Sequence, residues 1–555
     1  MLYDYRVYGR QYPGVQPGGQ RDPDGDSSAA FCPLDHHFAR FISRFDAQPE
    51  IYHLAAELSK SGREGHICLD LSGKPEYRHV LQNSPVIGRP GEYKPLIADE
   101  HCRLYLYRFW EYQEKLAKFV KTMQNAECKM QNDESDEQTA AAMFALKKSF
   151  CVISGGPGTG KTTTVAKILA LLAQSRKLRI VLSAPTGKAA ARLQESISRE
   201  KKHFLPEIQD IIPKTASTLH RLLGTIPGSP YFRYNARRLL PYDVIVVDEA
   251  SMVDLALMSK LVQAISPKAR LILLGDKDQL ASVEAGAVLG DICASNINCV
   301  VQLEKSYRFG EHSGIGAASR AVNADDTGEQ SLLLLKSNTY ADAGWVELPA
   351  PNMLASCLKD RIIQGFQPYL KSLQAPLAAL ALFEKFRILC ALREGPYGVF
   401  SINQMVEKIL GKERLISGDK RWYAGRPVMI SGNDYTLGLF NGDVGIALYE
   451  KGGLRVFFPS PDGGIRSFHP LRLPEHETAY SMTVHKSQGS EFEQVLLLLP
   501  DKDAVILTKE LIYTAITRAK ESVEIWGKEE IFRAAVSRRI RRSSGLKDRI
   551  EKTPV

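Results

Sequence analysis

A glycine-rich segment stands out because its residue types and spacing could bind phosphates. It reads Gly155-Gly-Pro-Gly-Thr-Gly-Lys161-Thr162 and follows an apolar run at 150–154 that predicts a buried parallel strand. The helical apolar spacing of 162–173 comes directly after it. In this strand–loop–helix context, glycine backbone N–H groups and a helix N-terminus can wrap the phosphates of a nucleoside triphosphate.

Each polar residue of the loop then has a predicted part. Lys161 should reach the β- and γ-phosphates, and the Thr162 hydroxyl should take a position on Mg²⁺. The sequence therefore predicts ATP and Mg²⁺ as cofactors. The predicted nucleotide-binding residues of the loop are Gly155, Gly156, Pro157, Gly158, Thr159, Gly160, Lys161, Thr162 and Thr163.

Two carboxylates follow a second apolar run, Val244-Ile-Val-Val247. Four β-branched residues in a row indicate a strand buried on both faces, so Asp248 and Glu249 should lie at the crevice where open α/β sheets bind ligands. Asp248 is predicted to hold Mg²⁺, and Glu249 to act as general base on the attacking water.

Length and composition limit the class of protein. A chain of 555 residues should contain about three or four domains. Its 44% hydrophobic and 24% charged content is ordinary for a globular protein. No apolar stretch reaches the roughly 18 residues that span a bilayer, and the N-terminus does not resemble a signal peptide. Nine scattered cysteines without a Cys-x-x-Cys pair favour a reducing cytoplasm over a metal or disulfide framework. The net charge of +9 fits a polyanionic partner.

The order of the segments predicts an α/β protein with three parts. Residues 1–130 are predicted to form a mainly helical N-terminal domain, with a loop at 11–26. Residues 131–330 alternate strands and helices as in a doubly wound parallel sheet, after an acidic linker at 133–137. Residues 331–555 repeat this alternation, with short strands and Gly/Asn/Asp turns at about 426–471 that predict an inserted small barrel.

Further motifs follow in a fixed order. They are Ala184-Pro-Thr-Gly-Lys-Ala-Ala-Ala-Arg-Leu193, Ser217-Thr-Leu-His220, Leu274-Gly-Asp-Lys-Asp-Gln-Leu-Ala-Ser282, Leu303-Glu-Lys-Ser-Tyr-Arg-Phe309, Gly425-Arg-Pro-Val-Met-Ile-Ser-Gly-Asn-Asp-Tyr435, Tyr480-Ser-Met-Thr-Val-His-Lys-Ser-Gln-Gly-Ser-Glu491 and Tyr513-Thr-Ala-Ile-Thr-Arg518. This set resembles the superfamily-one DNA helicases and, more narrowly, the RecD family, the alpha subunits of the bacterial exonuclease V (RecBCD) complex. The resemblance is strong over about 138–545 and only in outline before it.

The resemblance implies two RecA-like P-loop NTPase motor domains, an SH3-like β-barrel inserted in the second, and further nucleotide contacts. It implies that Gln138 reads the adenine edge and that Gln279 senses the γ-phosphate. Tyr307 would stack on the base, while Arg308 and Arg518 would reach the γ-phosphate, Arg518 as an arginine finger from the second motor. Gly489 and Glu491 are also carried over as nucleotide-binding residues. The predicted catalytic set is Lys161, Glu249, Gln279, Arg308 and Arg518.

Single-stranded DNA is expected across the tops of both motors. Cations, hydroxyls and backbone amides on loops after strands suit sequence-independent phosphate contacts, although Thr218 could instead cap a helix. The predicted DNA-binding residues are Lys188, Arg192, Ser217, Thr218, His220, Thr483, His485 and Lys486.

Three features stay open at this stage. Residues 225–238 carry two prolines, a glycine and aromatics, and predict either a β-hairpin pin at the duplex junction or a surface loop. Asp35-His36-His37 lacks a further metal-ligand pattern, which favours a polar loop over a metal site. Arg538-Arg-Ile-Arg-Arg542 fits a phosphate contact, a partner anchor or a solvated helix.

The resemblance implies an ATP-dependent helicase subunit, moving 5′ to 3′, that joins RecB-like (beta) and RecC-like (gamma) partners on single-stranded and duplex-end DNA during double-strand break repair and recombination. No nuclease carboxylate constellation is recognisable here, and the resemblance places that centre on the beta subunit. One alternative is a free-standing RecD-like helicase, and another is a motor fold kept as a structural piece. The N-terminal block is too short for the larger N-terminal extension of the free-standing type, which disfavours the first alternative. The complete set of hydrolytic residues disfavours the second.

Overall fold

The computed structural model describes residues 31–123, 137–175, 178–310, 312–337, 339–417, 420–434, 436–450, 452–460 and 463–552. The loop predicted at 11–26 and most of the acidic linker predicted at 133–137 lie outside the described residues. Among the described residues, no helix joins the length and the apolar character needed to cross a bilayer.

The N-terminal domain contains a sheet as well as helices. Its helices are α1 (Pro33–Ser43), α2 (Pro49–Arg63), α3 (Arg78–Asn83) and α4 (Tyr107–Met123), and its strands are β1 (Cys68–Asp70), β2 (Ile87–Gly88), β3 (Leu96–Ala98) and β4 (Arg103–Leu106). The strands pair in the order β1-β4-β3-β2. The mainly helical prediction did not include this sheet, because β1, β2 and β3 have only two or three residues each and are too short to show a period.

Asp35 is a structural residue of this domain. Its carboxylate is buried in α1 and accepts hydrogen bonds from Arg63 and from the Ser59 hydroxyl of α2. Burial would raise the pKa of Asp35, but these hydrogen bonds outweigh it and lower the pKa to about 2. These hydrogen bonds of Asp35 hold α1 against α2.

The two motor domains that the resemblance implies are called the first motor and the second motor. The first is built on a six-stranded parallel sheet. Its strands are β5 (Phe150–Gly155), β6 (Ile180–Ala184), β7 (Ala216–Thr218), β8 (Val244–Val247), β9 (Arg270–Gly275) and β10 (Val300–Leu303). They pair in the order β10-β5-β9-β8-β6-β7. Its helices are α5 (Glu137–Lys147), α6 (Lys161–Ser175), α7 (Gly187–Lys201), α8 (Pro206–Ile211), α9 (Leu219–Leu223), α10 (Leu255–Gln263) and α11 (Val288–Ala294). Because the strands are parallel, the phosphate loop, the carboxylate pair and the segment after β9 meet at one edge.

The second motor carries a five-stranded parallel sheet and a separate antiparallel sheet. The strands are β11 (Ala343–Glu347), β12 (Phe386–Cys390), β13 (Pro427–Ile430), β14 (Val444–Glu450), β15 (Gly453–Pro459), β16 (Ile465–Phe468), β17 (His476–Thr478), β18 (Ser481–Thr483), β19 (Phe492–Leu498) and β20 (Ala519–Gly527). The helices are α12 (Gly314–Ala324), α13 (Glu329–Lys336), α14 (Pro351–Leu370), α15 (Pro376–Phe383), α16 (Val399–Lys412), α17 (Lys509–Ile516) and α18 (Glu529–Ser537). A further helix, α19 (Leu546–Glu551), follows them in the chain and packs outside this domain. The parallel sheet has the order β11-β20-β19-β12-β18.

Two predicted boundaries differ from the structure. Helix α12 lies before the predicted boundary at 330, yet it packs on α17 and shares the core of the second sheet through Ile315, Ala318 and Val322. The inserted antiparallel sheet, in the order β16-β15-β14-β13-β17, runs past residue 471, because β17 returns to pair with β13. Neither contact could be read from local sequence, since both join distant segments.

The chain ends by crossing back over the molecule. Arg538 pairs with Asp503, and the Arg542 guanidinium donates to the carbonyl oxygens of Ser282, Glu284 and Gly286 in the first motor. Helix α19 then packs against α4 and α11. These two arginines of the basic run are thus occupied by contacts within the chain. Residues 538–542 lie between α18 and α19, so the solvated helix, one of the three alternatives left open by the sequence, does not describe them.

Replacing Arg542 with alanine should loosen this joint. Three carbonyls of residues 282–286 would lose a charged donor, and we expect a loss of about 2 kcal/mol in the free energy of unfolding. Chemical denaturation followed by circular dichroism measures this, with Arg541→Ala as control because Arg541 is an exposed neighbour of the same charge. Equal stability of the two variants would contradict the role of Arg542.

Candidate active site

The phosphate loop contains two glycines with left-handed backbone conformations. Gly158 and Gly160 adopt left-handed φ values of 78° and 80°, and a Cβ at either position would collide with Arg308 or Gln138. The Lys161 ammonium donates to the carbonyl oxygens of Gly155 and Gly156 at 2.6 and 2.9 Å. This lysine therefore lies inside the curve of the loop, where phosphates would be bound.

The carboxylate pair lies beside the loop. Glu249 has a left-handed φ of 52°, and its backbone N–H donates to Asp248 Oδ1 at 2.8 Å. Burial raises the pKa of Asp248, and the Glu249 charge raises it further. A buried carboxylate that is costly to ionise is relieved by a cation, and the Asp248 carboxylate with the Thr162 hydroxyl offers the oxygen ligands that Mg²⁺ prefers. The residues present therefore fit a magnesium ion.

Two predicted nucleotide contacts support the loop from its side. Gln138 is buried on α5, donates to the Thr159 carbonyl at 3.5 Å and accepts from Lys167 at 3.2 Å. The Thr163 hydroxyl, by contrast, donates to Glu200 of α7 at 3.2 Å. The Thr163 side chain thus connects α6 with α7, and its predicted nucleotide contact stays a prediction.

The segment 304–308 lines the open side of the loop. The Tyr307 N–H donates to the Gly158 carbonyl at 2.8 Å, and the Ser306 hydroxyl donates to the Pro157 carbonyl at 3.3 Å. The Tyr307 ring is 56% exposed beside the glycine loop. An exposed aromatic face held at this place is suited to stacking on a base.

The segment after β9 connects the two motors. Asp276 is buried and accepts hydrogen bonds from Gln279 at 3.1 Å and from the Tyr513 hydroxyl of the second motor at 2.9 Å. The Leu280 N–H donates to Thr514, and Gln488 donates to the Leu280 carbonyl. These hydrogen bonds form a bridge across the cleft, which is the space between the two motors. Gln279, predicted as a γ-phosphate sensor, belongs to this bridge.

The predicted arginine finger lies in the same cleft. Arg518 is 2% exposed and donates to the carbonyls of Thr514 and Ser490 at 3.2 and 3.1 Å. Burial lowers the pKa of Arg518, and the charges of Glu249 and Glu491 partly offset that effect. Glu249, the predicted general base, belongs to the first motor, so its electrostatic interaction with Arg518 joins the two motors.

Glu491 lies among basic side chains. Its carboxylate forms ion pairs with Arg192 and with Arg308, the latter at 2.9 Å, and lies 3.7 Å from Lys520. Arg192 also donates to the Gly489 carbonyl at 3.0 Å. In this structure the predicted nucleotide-binding pair Gly489 and Glu491 is bound to arginines.

The cations of the predicted DNA set are also paired. Lys188 forms an ion pair with Glu384 at 3.2 Å, and Lys486 forms one with Glu477. A DNA phosphate would therefore compete with carboxylates of the second motor for these lysines.

The other predicted DNA residues have local contacts. Thr218 caps α9 by accepting from the Arg221 N–H, which is the alternative that the sequence left open. The Ser217 carbonyl accepts from the Ser183 hydroxyl, and the Thr483 hydroxyl accepts from the Lys486 N–H. His220 packs edge-on against Phe232 at 5.7 Å between ring centroids, and burial lowers the pKa of both His220 and His485.

Sequence reasoning missed the partners of these residues. Asp276 and Tyr513 lie inside motifs that the sequence displayed, so their position in a motif was a usable signal. Glu384 and Glu477 lie outside those motifs, and no sequence spacing connects them with Lys188 or Lys486.

A phosphate loop on the first of two parallel sheets, with an arginine from the second beside its carboxylates, defines a two-motor P-loop nucleoside triphosphatase. Residues 138–285 match the AAA domain family, 478–525 the UvrD-like helicase C-terminal domain, and 28–76 the N-terminal domain of the RecBCD enzyme subunit RecD. The chain is 38% identical to RecBCD enzyme subunit RecD of Mycolicibacterium smegmatis, over 93% of this chain and 97% of that protein. It is 42% identical to the Mycobacterium tuberculosis protein of the same name, over 88% and 87%. The chain belongs to the RecD family, and it is an ATP-hydrolysing DNA helicase.

Two further comparisons are more distant. The ATP-dependent RecD2 DNA helicase of Deinococcus radiodurans is 31% identical over 85% of this chain and 63% of that protein. A Bacteroides Pif1 helicase structure aligns at 18% identity over 72% of this chain and 92% of that chain, with a TM-score of 0.40.

The bridge across the cleft generates a prediction for Tyr513→Phe. The variant keeps the ring but removes the hydrogen bond to the buried Asp276 carboxylate, which leaves Gln279 less well held. We expect ATP turnover to fall about tenfold, or ~1.4 kcal/mol, with little change in melting temperature. Tyr397→Phe is the matched control, since it removes a hydroxyl bonded to the Pro349 carbonyl away from the cleft. Equal turnover in both variants would refute a catalytic role for the bridge.

Proposed function

We propose that this chain is the motor subunit of a RecBCD-like heterotrimer, with RecB-like and RecC-like partners, and that it acts on duplex-end DNA in double-strand break repair and recombination. The observation that carries the proposal is the match of residues 28–76 to the RecD N-terminal domain, together with relatives named as RecBCD subunits. The N-terminal domain is the proposed partner-contacting part. The cytoplasmic compartment expected from the cysteines belongs to the same proposal.

Hydrolysis is proposed to use the residues assembled in the cleft. Lys161 holds the β- and γ-phosphates, and Glu249 takes a proton from the attacking water. Asp248 and the Thr162 hydroxyl would hold Mg²⁺, which neutralises charge on the phosphates when bound. Arg308 and Arg518 stabilise the charge that develops on the transferring phosphoryl group. Because these groups come from two motors, closure of the cleft completes the site.

DNA is proposed to lie across both motors along the predicted DNA-binding residues, with movement from 5′ to 3′. Lys188 and Lys486 are cations near the carboxyl ends of strands in different sheets, which supports a path that crosses the cleft. The antiparallel sheet β13–β17 is the proposed SH3-like insertion, and the two parallel sheets are the proposed RecA-like motors.

A free-standing helicase is the second candidate, and the similarity to RecD2 favours it. The two are separated by co-expression with the RecB-like and RecC-like proteins of the same genome. Co-purification in a 1:1:1 ratio supports the subunit. A chain that stays alone, and unwinds DNA as well without those proteins as with them, supports the free-standing helicase.

Hydrolytic substitutions test the proposed chemistry. Lys161→Gln should reduce DNA-stimulated ATP hydrolysis by about a hundredfold or more, because the transition-state charge loses its cation. Glu249→Gln should bind ATP normally and hydrolyse it slowly, since it loses the base alone. Turnover, nucleotide affinity and unwinding of 5′- and 3′-tailed duplexes are the measurements. Near-normal turnover of Lys161→Gln, or loss of binding by Glu249→Gln, would refute the roles, and unwinding from 3′ tails would refute the polarity.

The segment 225–238 is proposed as a strand-separating pin. It is more irregular than the predicted hairpin, with single antiparallel bridges at Thr225–Phe232 and Asn235–Arg238. Lys260 donates to the Pro230 carbonyl and lies over the Phe232 ring, which anchors the segment to α10. Tyr231, next to Phe232 in this segment, is 72% exposed. An exposed aromatic on an anchored segment can stack on a terminal base pair.

Tyr231→Ala is a sharper test than deletion of 227–235, because deletion would also remove Phe232, which packs on His220. The variant should unwind duplex DNA about threefold to tenfold more slowly, as expected for the loss of one stacking contact, and keep its ATPase rate on single strands. Tyr449→Ala is the control, at 69% exposure on the antiparallel sheet. Normal unwinding by Tyr231→Ala would show that the segment is a surface loop, and equal loss of both activities that it supports the motor.

A further inference from the structure

Glu491 joins two residues that were predicted to bind different ligands. Its Oε1 pairs with Arg308, predicted for the γ-phosphate, and its Oε2 pairs with Arg192, predicted for DNA. Arg192 comes from α7 and Arg308 from the segment along the phosphate loop, whereas Glu491 directly precedes β19 in the second motor. One carboxylate of the second motor therefore binds two arginines of the first motor.

The charges around this carboxylate favour its ionised form. Burial alone would raise the pKa of Glu491, but Arg192, Arg308 and Arg518 outweigh it and lower the pKa to about 2. Glu491 is thus a fixed anion at neutral pH. Its side chain is 12% exposed, so solvent screens these ion pairs less than it would surface pairs.

A phosphate and a carboxylate are alternative partners for a guanidinium, because both offer paired oxygens to the same fork of N–H donors. When the γ-phosphate of ATP takes Arg308, or a DNA phosphate takes Arg192, the existing pair with Glu491 must weaken. The binding free energy of each ligand is then reduced by the energy of the pair that it replaces.

We propose that Glu491 is a positioning residue that competes with ATP for Arg308 and with single-stranded DNA for Arg192, and so holds both arginines in place until their phosphates arrive. This inference rests on the proposed function of the cleft. It reverses the prediction for Glu491, because a competing anion lowers the affinity for ATP that a nucleotide-binding residue would raise.

Glu491→Gln tests the sign of the effect, because it keeps the shape of the side chain and removes its charge. We expect the dissociation constant of the full chain for the non-hydrolysable analogue AMP-PNP with Mg²⁺ to fall about two- to fivefold. That for a fluorescent oligothymidylate without nucleotide should fall by a similar factor. Glu493→Gln is the matched control, since Glu493 is two residues away and pairs with the exposed Lys385 at 2.9 Å. The control should change neither constant.

A double variant separates competition from a general loss of negative charge. In an Arg308→Ala background, Glu491→Gln should lose most of its effect on AMP-PNP and keep its effect on DNA. A purely structural role would instead weaken both ligands and lower the melting temperature. If the unmodified chain binds both ligands while Glu491→Gln binds AMP-PNP no better than Glu493→Gln does, the inference is wrong and the proposed function stands. If the unmodified chain binds neither ligand, the proposed function fails and the inference with it.

Discussion

The cost of burying charge between two facing motors is the constraint on which the rest of the structure depends. Each motor ends its parallel strands in polar residues that suit a triphosphate and DNA, and the cleft removes part of their hydration. A buried charge is tolerated when it is paired or hydrogen-bonded. The pairs described here meet that requirement across the cleft: Arg308 with Glu491, Tyr513 with Asp276, and Lys188 with Glu384. The same groups that suit the chemistry therefore also hold the motors together.

Arg387 extends this network into the core of the second motor. Its side chain is fully buried on β12, lies 4.0 Å from the centre of the Phe383 ring, and donates to the Ala479 carbonyl. Burial lowers its pKa to about 10, so it stays charged at neutral pH. Its guanidinium lies 3.6 Å from the Glu384 carboxylate that pairs with Lys188. Arg387 thus holds the Glu384 carboxylate, which pairs with the predicted DNA contact Lys188. The same guanidinium donates to the Ala479 carbonyl, two residues before β18 begins.

Much of the fold and part of the site could be predicted from sequence, for physical reasons visible in particular elements. Strands such as β5 and β8 are continuous apolar runs because both of their faces are buried. The phosphate loop needs left-handed backbone conformations at Gly158 and Gly160, which glycine adopts without strain. Strands β1, β2 and β3 of the N-terminal domain had too few residues to show alternation. The return of β17 to β13 and the packing of α12 depend on partners far along the chain. The Lys188–Glu384 pair was hidden for the same reason, since 196 residues separate its members.

The chain end shows how such distant contacts reach the site. Arg542 binds the carbonyls of residues 282–286, which directly follow the Gln279–Leu280 bridge to the second motor. The Ser543 carbonyl accepts from Ile67 in the N-terminal domain, so one short segment touches all three parts of the protein. A motion that separates the motors must therefore strain either this joint or the bridge beside it.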